Sequence, residues 1–504
     1  TSDFPAPSVV FEKELADDGS TTLTGRESLT LTFSEAIQTD SLVLSGDMLP
    51  SCNDPADETS CLNLDWSEGS TVLTLTPKEN FYWYADIRSL QVAITGDGTL
   101  GLDETVSATV LPVFETFQAA DVVIGQNDFE SNDANVESNK LYRPNSVSTY
   151  QKDGQVGLLI SDNGPNRILK YNTIPINNGI GLDELFGQDS NTTLDSGNSN
   201  NRLNSPRSAI QLKDRIYIAD SGNDRAVWVE NNNFDANGDL ANSGEATSLV
   251  GQQDFGFDIP WQCSQNSLNS MRGMDVVETE SGIHWLLADN GNNRVMIWSN
   301  PDETKGSNAS IVLGQENFDD CQGRSAYEDG VGLKSLRKPV GVWSNGEKLV
   351  VSSNDGNRLL VWNTLPTESN QLPDFQLGQE SDSATAKNAS KSITNQRGMN
   401  GPRGIGGNKY QMCVADNFNH RVLVWNSLPE NSDDLADIVI GQSNFTKRGA
   451  NDTDQDGYDY DTPDGRVLTN PMACDISMEQ LFIADTYNHR VLVFNALNKR
   501  PSNK

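Results

Sequence analysis

LFIADTYNHRVLVF, residues 481–494, is the last of six copies of one pattern in this chain of 504 residues. The others are LLISDNGPNRILKY (158–171), IYIADSGNDRAVWV (216–229), WLLADNGNNRVMIW (285–298), LVVSSNDGNRLLVW (349–362) and MCVADNFNHRVLVW (412–425). A second marker, Gly-Gln after an apolar run, recurs at Gly125, Gly187, Gly251, Gly314, Gly378 and Gly441, at spacings of 62 to 64 residues. A period that regular means a repeat architecture.

Each copy reads as strand, turn, strand: an apolar β-branched run, an Asp-to-Arg turn rich in Asn and Gly, and a second apolar run. A short segment opening on Leu-x-x-Pro or a near match precedes each pair (Pro144, Pro206, Pro339, Pro402, Pro471, with Met271 in the third copy), and the Gly-Gln run follows it. Four strands per repeat, six repeats and no helical periodicity predict a six-bladed β-propeller, because ring closure leaves no open sheet edge. The first Gly-Gln strand, AADVVIGQ (119–126), precedes the first pair, whereas the last repeat ends after its third strand. The N-terminal strand is therefore expected to complete the sixth blade.

Residues 8–114 are different material. SLTLTFSEAI (28–37) and STVLTLTP (70–77) alternate apolar and polar residues as half-buried strands do, and turn clusters separate them at the spacing of a β-sandwich. The expected architecture is all-β, with a sandwich over 1–117 and a propeller over 118–504.

Net charge is −35 and the isoelectric point is about 4.3. Within residues 1–117 there are 20 acidic against 4 basic side chains. Such a surface excludes nucleic acid as a partner, since that affinity comes largely from Lys and Arg neutralising phosphates. No apolar run is long enough to span a bilayer. The first residue, Thr1, is expected to mark a processed mature form. Of six cysteines, Cys52 with Cys61 and Cys263 with Cys321 are expected to form disulfides, which places the protein in an oxidising, extracytoplasmic compartment. Cys413 and Cys474 lie inside strands and read as small buried apolar residues.

The repeats resemble the NHL-repeat family. Its Pro-x-Gly-Val, Tyr-Val-Ala-Asp and Asn-His-Arg-Val segments are visible in PRGI (402–405) with CVADNFNHRVLVW (413–425), and in FIADTYNHRVLVF (482–494). The ending Gly-Gln-x-x-Phe, as in GQNDF (125–129) and GQSNF (441–445), is similar to a bacterial secreted branch of that family. The resemblance covers 119–495 and implies a six-bladed propeller. It implies no single function, because NHL propellers serve as protein-binding platforms, RNA readers and occasionally enzymes. The "TFSE" strand, the "LTLTP" strand and VAITG (92–96) resemble bacterial immunoglobulin-like domains of the surface-layer type.

The repeated Asp162, Asp220, Asp289, Asp416 and Asp485, with Arg167, Arg225, Arg294, Arg358, Arg421 and Arg490, look like a site but recur in every copy, so scaffolding is the expected role. Ser353 replaces the aspartate in the fourth copy, where a looser turn is expected. Enzyme readings meet a shortage of histidine, with only His284, His420 and His489 present. A lactonase-like site would instead need carboxylates around a metal in the central channel, and Asp275 and Asp475 are the candidates there; backbone capping is the competing role for both. At the channel mouth the positions after Leu-x-x-Pro are Asn145, Arg207, Arg272, Val340, Arg403 and Met472. Three arginines around one opening in an acidic protein suit a carboxylate ligand or an acidic partner side chain, unless neighbouring carboxylates neutralise them.

The segment NDTDQDGYDYDTPDG (451–465) carries the oxygen-rich spacing that calcium requires. Asp452, Asp454 and Asp456 stand at alternate positions, Gly457 supplies the turn, the Tyr458 carbonyl follows, and Asp461, or else Asp459 or Asp464, is placed to complete the shell. Pro463 replaces the usual bidentate Glu, which predicts an isolated Ca2+ loop rather than an EF-hand. DANGDLANSGE (235–245) is a weaker echo. The loops after each Gly-Gln carry Phe255, Phe257, Trp261, Tyr327, Tyr458 and Tyr460, which suits a protein or glycan interface. Two functions stay open: a secreted or cell-envelope binding scaffold, and a metal-assisted hydrolase or lyase working in the channel.

Overall fold

The computed structural model describes residues 103–230, 245–257, 263–301, 305–321, 332–333, 335–458, 461–477 and 479–499. Toward the N-terminus it describes 9–11, 21–23, 27–33, 42–45, 48–49, 61–67, 71–78 and 81–94. Two compact units are present: unit 1 is Thr1–Phe114 with Met478–Gln480 and Asn495–Lys504, and unit 2 is Glu115–Ser477 with Leu481–Phe494. Regular structure among the described residues is all β, apart from short 3-10 turns.

Unit 2 contains six antiparallel four-stranded sheets. Their first strands are Pro144–Lys152, Ser208–Leu212, Met274–Thr279, Pro339–Ser344, Pro402–Gly407 and Ala473–Ile476. These strands adjoin one another in that order, and the sixth returns to the first, giving a propeller-like ring. Sheet six takes its second and third strands from Gln480–Asp485 and Arg490–Asn495, and its outer strand from Val122–Ile124. Val491, Leu492 and Val493 face Ile124, Val123 and Val122, the pairing that the order of markers predicts.

Apolar cores lie between neighbouring sheets. Phe482, Ala484, Val491 and Val493 of sheet six pack with Val147, Leu158, Ile160 and Leu169 of sheet one. Leu159 and Ile168 of sheet one turn the other way, onto Ile216, Ile218 and Val227 of sheet two. A strand buried on both faces needs unbroken apolar runs, hence the VLVW and VLVF of the repeats.

The polar residues of the repeat are used up inside the fold. Arg167, Arg225, Arg294, Arg421 and Arg490 each donate from Nε to their own Asp162, Asp220, Asp289, Asp416 and Asp485 at 2.6–3.0 Å. The other aspartate oxygen accepts a backbone N–H from the segment entering the same sheet, as from Asn400 at 2.7 Å to Asp416. The arginine's terminal nitrogens donate to loop carbonyls: Arg421 reaches Phe445, Asn395 and Gly398 at 2.8–2.9 Å. Each arginine therefore pins the long loops on either side of its turn. Burial pushes the Asp162, Asp220 and Asp289 carboxyls upward while their arginines pull them down. In sheet four the Ser353 hydroxyl accepts the Arg337 N–H at 3.0 Å, but Arg358 Nε is buried without a partner among the described residues.

Between the Asp, or Ser353 in sheet four, and the Arg the chain makes one turn, of 3-10 form in sheets two to six, and ends in the left-handed region, at Asn166, Asp224, Asn293, Asn357, His420 and His489, with φ of 50–56°. Asn, Asp and His tolerate that conformation better than other side chains with a Cβ, and each offers an acceptor here. It receives the backbone N–H of the next sheet's entry segment: Ser205, Ser270, Lys338, Gly401, Asn470 and Arg143 in turn. Six such latches run around the ring, and the last returns from sheet six to sheet one. The Gly-Gln marker has an equally local cause. Gly125 stands at φ +91°, and a Cβ there would come within 2.5 Å of Leu141. Gln126 Nε2 then donates to the His489 carbonyl at 3.0 Å.

His489 makes one latch sensitive to pH. Its Nδ1 accepts the Arg143 N–H at 3.2 Å, and burial with the Arg143 charge holds the imidazole below its ordinary value. The unfolded chain protonates near pH 6.5 while the folded ring stays neutral. Stability is therefore complete above about 6.5 and falls as the pH drops toward the folded value, by roughly 1 kcal/mol per unit of depression. Thermal melts from pH 7.5 to 5 are expected to show this slope, and His489→Asn, the residue used in sheets one, three and four, is expected to flatten it. An unchanged slope in the variant assigns the acid loss elsewhere.

Cys263 and Cys321 are disulfide-bonded. Cys61 is buried and disulfide-bonded, and Cys52 lies outside the described residues. Cys413 and Cys474 correct the sequence reading, for they too form a disulfide, with Cα atoms 6.2 Å apart. Cys413 lies in the second strand of sheet five and Cys474 in the first strand of sheet six. Gly406 pairs with Cys413. A Cβ on Gly406 would stand 2.1 Å from the Cys474 carbonyl oxygen, so glycine there admits the close approach that lets the sulfurs meet.

Unit 1 consists of two four-stranded sheets. One contains Val9–Phe11, Leu29–Phe33, Leu62–Ser67 and Val72–Pro77, and the other Thr21–Leu23, Leu42–Ser45, Asp86–Ile94 and Asp103–Val110. Leu31, Phe33, Leu73 and Leu75 of the first share one core with Leu44, Leu90, Val92 and Val110 of the second, around the fully buried Trp83. Asn498 belongs to this unit, with Nδ2 donating to the carbonyls of Trp83 and Leu111 and Oδ1 accepting the Val113 N–H.

Candidate functional site: an arginine-lined channel mouth

The six first strands of unit 2 line an open cavity of about 90 Å³. Asn145, Arg207, Arg272, Val340, Arg403 and Met472, one from each repeat, all line it. Each first strand begins beside the end of its second strand, as Pro144 does opposite Asp162, so these residues lie at the end of the channel that carries the Asp-to-Arg turns.

Backbone hydrogen bonds hold the arginines in place. Arg207 N–H donates to the Ala219 carbonyl at 2.9 Å and Arg272 N–H to that of Ala288 at 3.0 Å. Their side chains are half-buried, and among the described residues no guanidinium of the three forms an ion pair or a hydrogen bond. Nε of Arg207 and Nε of Arg403 are buried without a partner. Burial, with the charges of Arg272 and Arg403, lowers the Arg207 guanidinium to about 9. Arg272 and Arg403 move the same way, both chiefly through burial.

Deeper in the same cavity stand Asp275 and Asp475. Asp275 accepts the N–H of Val276 at 2.8 Å and, from the next sheet, that of Ser344 at 2.7 Å. Asp475 accepts the N–H of Ile476 at 3.0 Å, and the N–H and hydroxyl of Thr149 at 2.7 and 2.8 Å. Burial, with a smaller push from Asp475, raises the Asp275 carboxyl to about 7. Both carboxylates stitch adjacent sheets together. Gly273 and Gly341 let neighbouring walls approach, since a Cβ on either would lie 2.3 Å from a carbonyl oxygen of the next strand.

Two aromatic side chains that the sequence did not single out stand at the rim. Phe418 and Tyr487 occupy the turn position held by Gly164, Gly222 and Gly291 in the first three repeats, and both are about half exposed. The Arg403 guanidinium lies 5.7 Å from the Phe418 ring centre, and that of Arg143 lies 5.7 Å from Tyr487. Their signal in the sequence is the departure from the repeat's own glycine.

In the acidic loop before sheet six, Asp452, Asp454 and Asp461 present ligand oxygens within 4.8 Å of one another. Asp452 is fully buried; one oxygen accepts the Gly457 N–H at 3.0 Å, and the other, Oδ1, has no partner among the described residues. Asp456 is outside that cluster and accepts the Tyr458 N–H at 2.8 Å, while the Tyr458 side chain is exposed. The loop is anchored by a reciprocal amide pair between Asn451 and Asn488, at 2.9 and 2.8 Å. Phe255 packs partly buried, with the Arg225 guanidinium 5.2 Å from its ring centre, and Phe257 is exposed. Trp261, Tyr327, Tyr460 and residues 235–244 lie outside the described residues.

No family model and no curated protein matches this chain. Among solved structures, the nidogen/laminin complex is 13% identical with a TM-score of 0.29, over 68% of this chain and 88% of that one. Apo AztD from Citrobacter koseri is 9% identical with a TM-score of 0.29, over 82% and 90%. A DUF4784 family protein from Bacteroides caccae is 9% identical with a TM-score of 0.20, over 86% and 98%. At these values they carry no argument about function, and the propeller-like reading of unit 2 rests on its own strand pairing.

Proposed function

We propose that this protein is an extracytoplasmic binding scaffold. In this reading unit 2 is a six-bladed NHL-type β-propeller, unit 1 is an immunoglobulin-like adaptor of the surface-layer type, and the arginine-bearing end of unit 2 engages a protein or glycan partner through an acidic group. One observation carries it. The charged residues that recur in the repeats are paired or hydrogen-bonded within the fold, whereas among the described residues the three guanidiniums at the mouth form no ion pair and no hydrogen bond. A buried donor left unmatched in the free protein is a contact held ready for a ligand. The channel acids favour this reading over a metal-assisted hydrolase or lyase, because Asp275 and Asp475 already serve backbone N–H groups.

Calcium belongs to the same proposal, as a brace for the loop beside sheet six. Asp452, Asp454 and Asp461 offer the hard oxygen ligands it needs, and the unpartnered oxygen of Asp452 is buried. Calcium is expected to raise the melting temperature by several degrees. Asp454→Ala with Asp461→Ala is expected to abolish that rise without lowering the metal-free value, because both side chains are exposed. A rise that persists in the double variant removes the assignment.

The scaffold reading is tested by quantitative capture of partners from the native envelope, comparing wild type with Arg272→Glu. Reversing the charge is expected to reduce retention at least tenfold, as losing a charged contact of about 1.5–3 kcal/mol does. Equal retention of every partner by both proteins places binding away from the mouth.

A further inference from the structure

We infer that the channel mouth is a receptor for a multiply charged oxyanion: a sulfate, phosphate or polycarboxylate group held jointly by Arg207, Arg272 and Arg403. This deepens the scaffold reading and rests on its view of the mouth as a binding site.

Charge balance at the mouth favours such a ligand. Three guanidiniums from sheets two, three and five line one cavity, and the acids deeper in it, Asp275 and Asp475, accept backbone N–H groups and form no ion pair with them among the described residues. Asp355, on the turn of sheet four, is exposed and assists Arg403 only at a distance. A monoanion would leave most of the positive charge unanswered. A dianion or trianion answers it.

The donor chemistry of the guanidiniums favours it too. A guanidinium presents planar N–H donors that match the paired oxygens of carboxylate, sulfate and phosphate. Here Nε of Arg207 and of Arg403 is buried with no acceptor among the described residues. Burial, with repulsion from Arg272 and Arg403, already holds the Arg207 guanidinium below the usual arginine range. A shared anion relieves both the unmatched donors and the repulsion.

The shape of the mouth narrows the ligand further. The strand glycines keep the walls close, so the opening is narrow, and Phe418 and Tyr487 flank its arginine rim. An anion carrying a carbon skeleton can place its charge below and its apolar part against those rings. A free inorganic ion uses the arginines alone.

The test is calorimetric titration and thermal melting of the full chain with sulfate, phosphate and citrate, using acetate and chloride as controls at constant ionic strength. Sulfate, phosphate or citrate is expected to bind at least tenfold more tightly than acetate and to raise the melting temperature. Citrate ahead of sulfate points to an organic polycarboxylate, and the reverse order points to an inorganic ion or the sulfated or phosphorylated group of a larger partner. Arg207→Gln and Arg403→Gln are each expected to weaken binding at least tenfold, while the anion-free melting temperature stays level or rises, because a repelling charge has been removed. Anion effects equal in wild type and both variants, or no preference for multiply charged anions, overturn the proposal.

The two ideas fail separately. Loss of partner capture in Arg272→Glu without oxyanion binding overturns the oxyanion and keeps the scaffold. Oxyanion binding with partner capture intact in that variant does the opposite.

Discussion

Deleting residues 119–126 is expected to leave unit 2 unable to hold its fold at physiological temperature. Sheet six draws its outer strand from Val122–Ile124, whereas every other sheet of unit 2 is built from one continuous stretch. Val122, Val123 and Ile124 are 6%, 0% and 1% exposed. Burying three such side chains is worth roughly 5–9 kcal/mol at about 1.5–3 kcal/mol each, against about 5–15 kcal/mol for the whole of a typical domain. The deletion also takes away Gln126 and its bond to the His489 carbonyl, and it strips the edge of Arg490–Asn495. Limited proteolysis with thermal melting checks this. A milder variant, Val123→Asp, puts a charge at a fully buried position and is expected to lower the melting temperature by more than 5 °C. A native melt in either protein means that the ring is held shut by other contacts.

The second large effect concerns the Asp-to-Arg pairs. Arg421 is fully buried, paired to Asp416 at 2.7 Å and bonded to three loop carbonyls. Arg421→Met keeps much of the volume but strands a buried carboxylate and frees those carbonyls, and removing one partner of a buried pair costs about 3–5 kcal/mol. Sheet four supplies the reverse experiment. Arg358 keeps its carbonyl contacts to Asp382, Gly332 and Ser335, yet its Nε has no acceptor because Ser353 is too short to reach it. Ser353→Asp restores the arrangement found in the other five sheets and is expected to add about 1 kcal/mol. Chemical denaturation of both variants measures the two changes. If Ser353→Asp destabilises, the fourth turn has been repacked around serine and the pairs are not interchangeable between sheets.

These effects show why so much was legible in advance. Repetition separates what every sheet needs from what any one sheet does. It identified the strands, gave Asp162 and its counterparts a scaffolding role, and placed Val122–Ile124 at the far end of the sequence's own order. The positions around the channel followed from the same logic, since Arg207, Arg272 and Arg403 hold one place in three repeats. Contacts between sheets were harder to read. The Cys413–Cys474 bond depends on which strands of two sheets adjoin and on the missing side chain at Gly406, and strand membership alone carries neither fact. The acceptor role of His420 and His489 was hidden for a related reason, because their bonds reach the entry segment of another sheet. Within the acidic loop the spacing gave equal standing to Asp456, whose carboxylate the fold turns back on the Tyr458 N–H.

Asn498 has a consequence for biosynthesis. Its amide joins Trp83, Leu111 and Val113, so a unit begun by the first hundred residues waits for a partner that leaves the ribosome several hundred residues later. The segment made first is thus finished last, after the intervening sheets have had time to assemble. Nascent chains stalled before residue 495 should carry an early unit that proteases still cut, and that protection should arrive only with the final few residues.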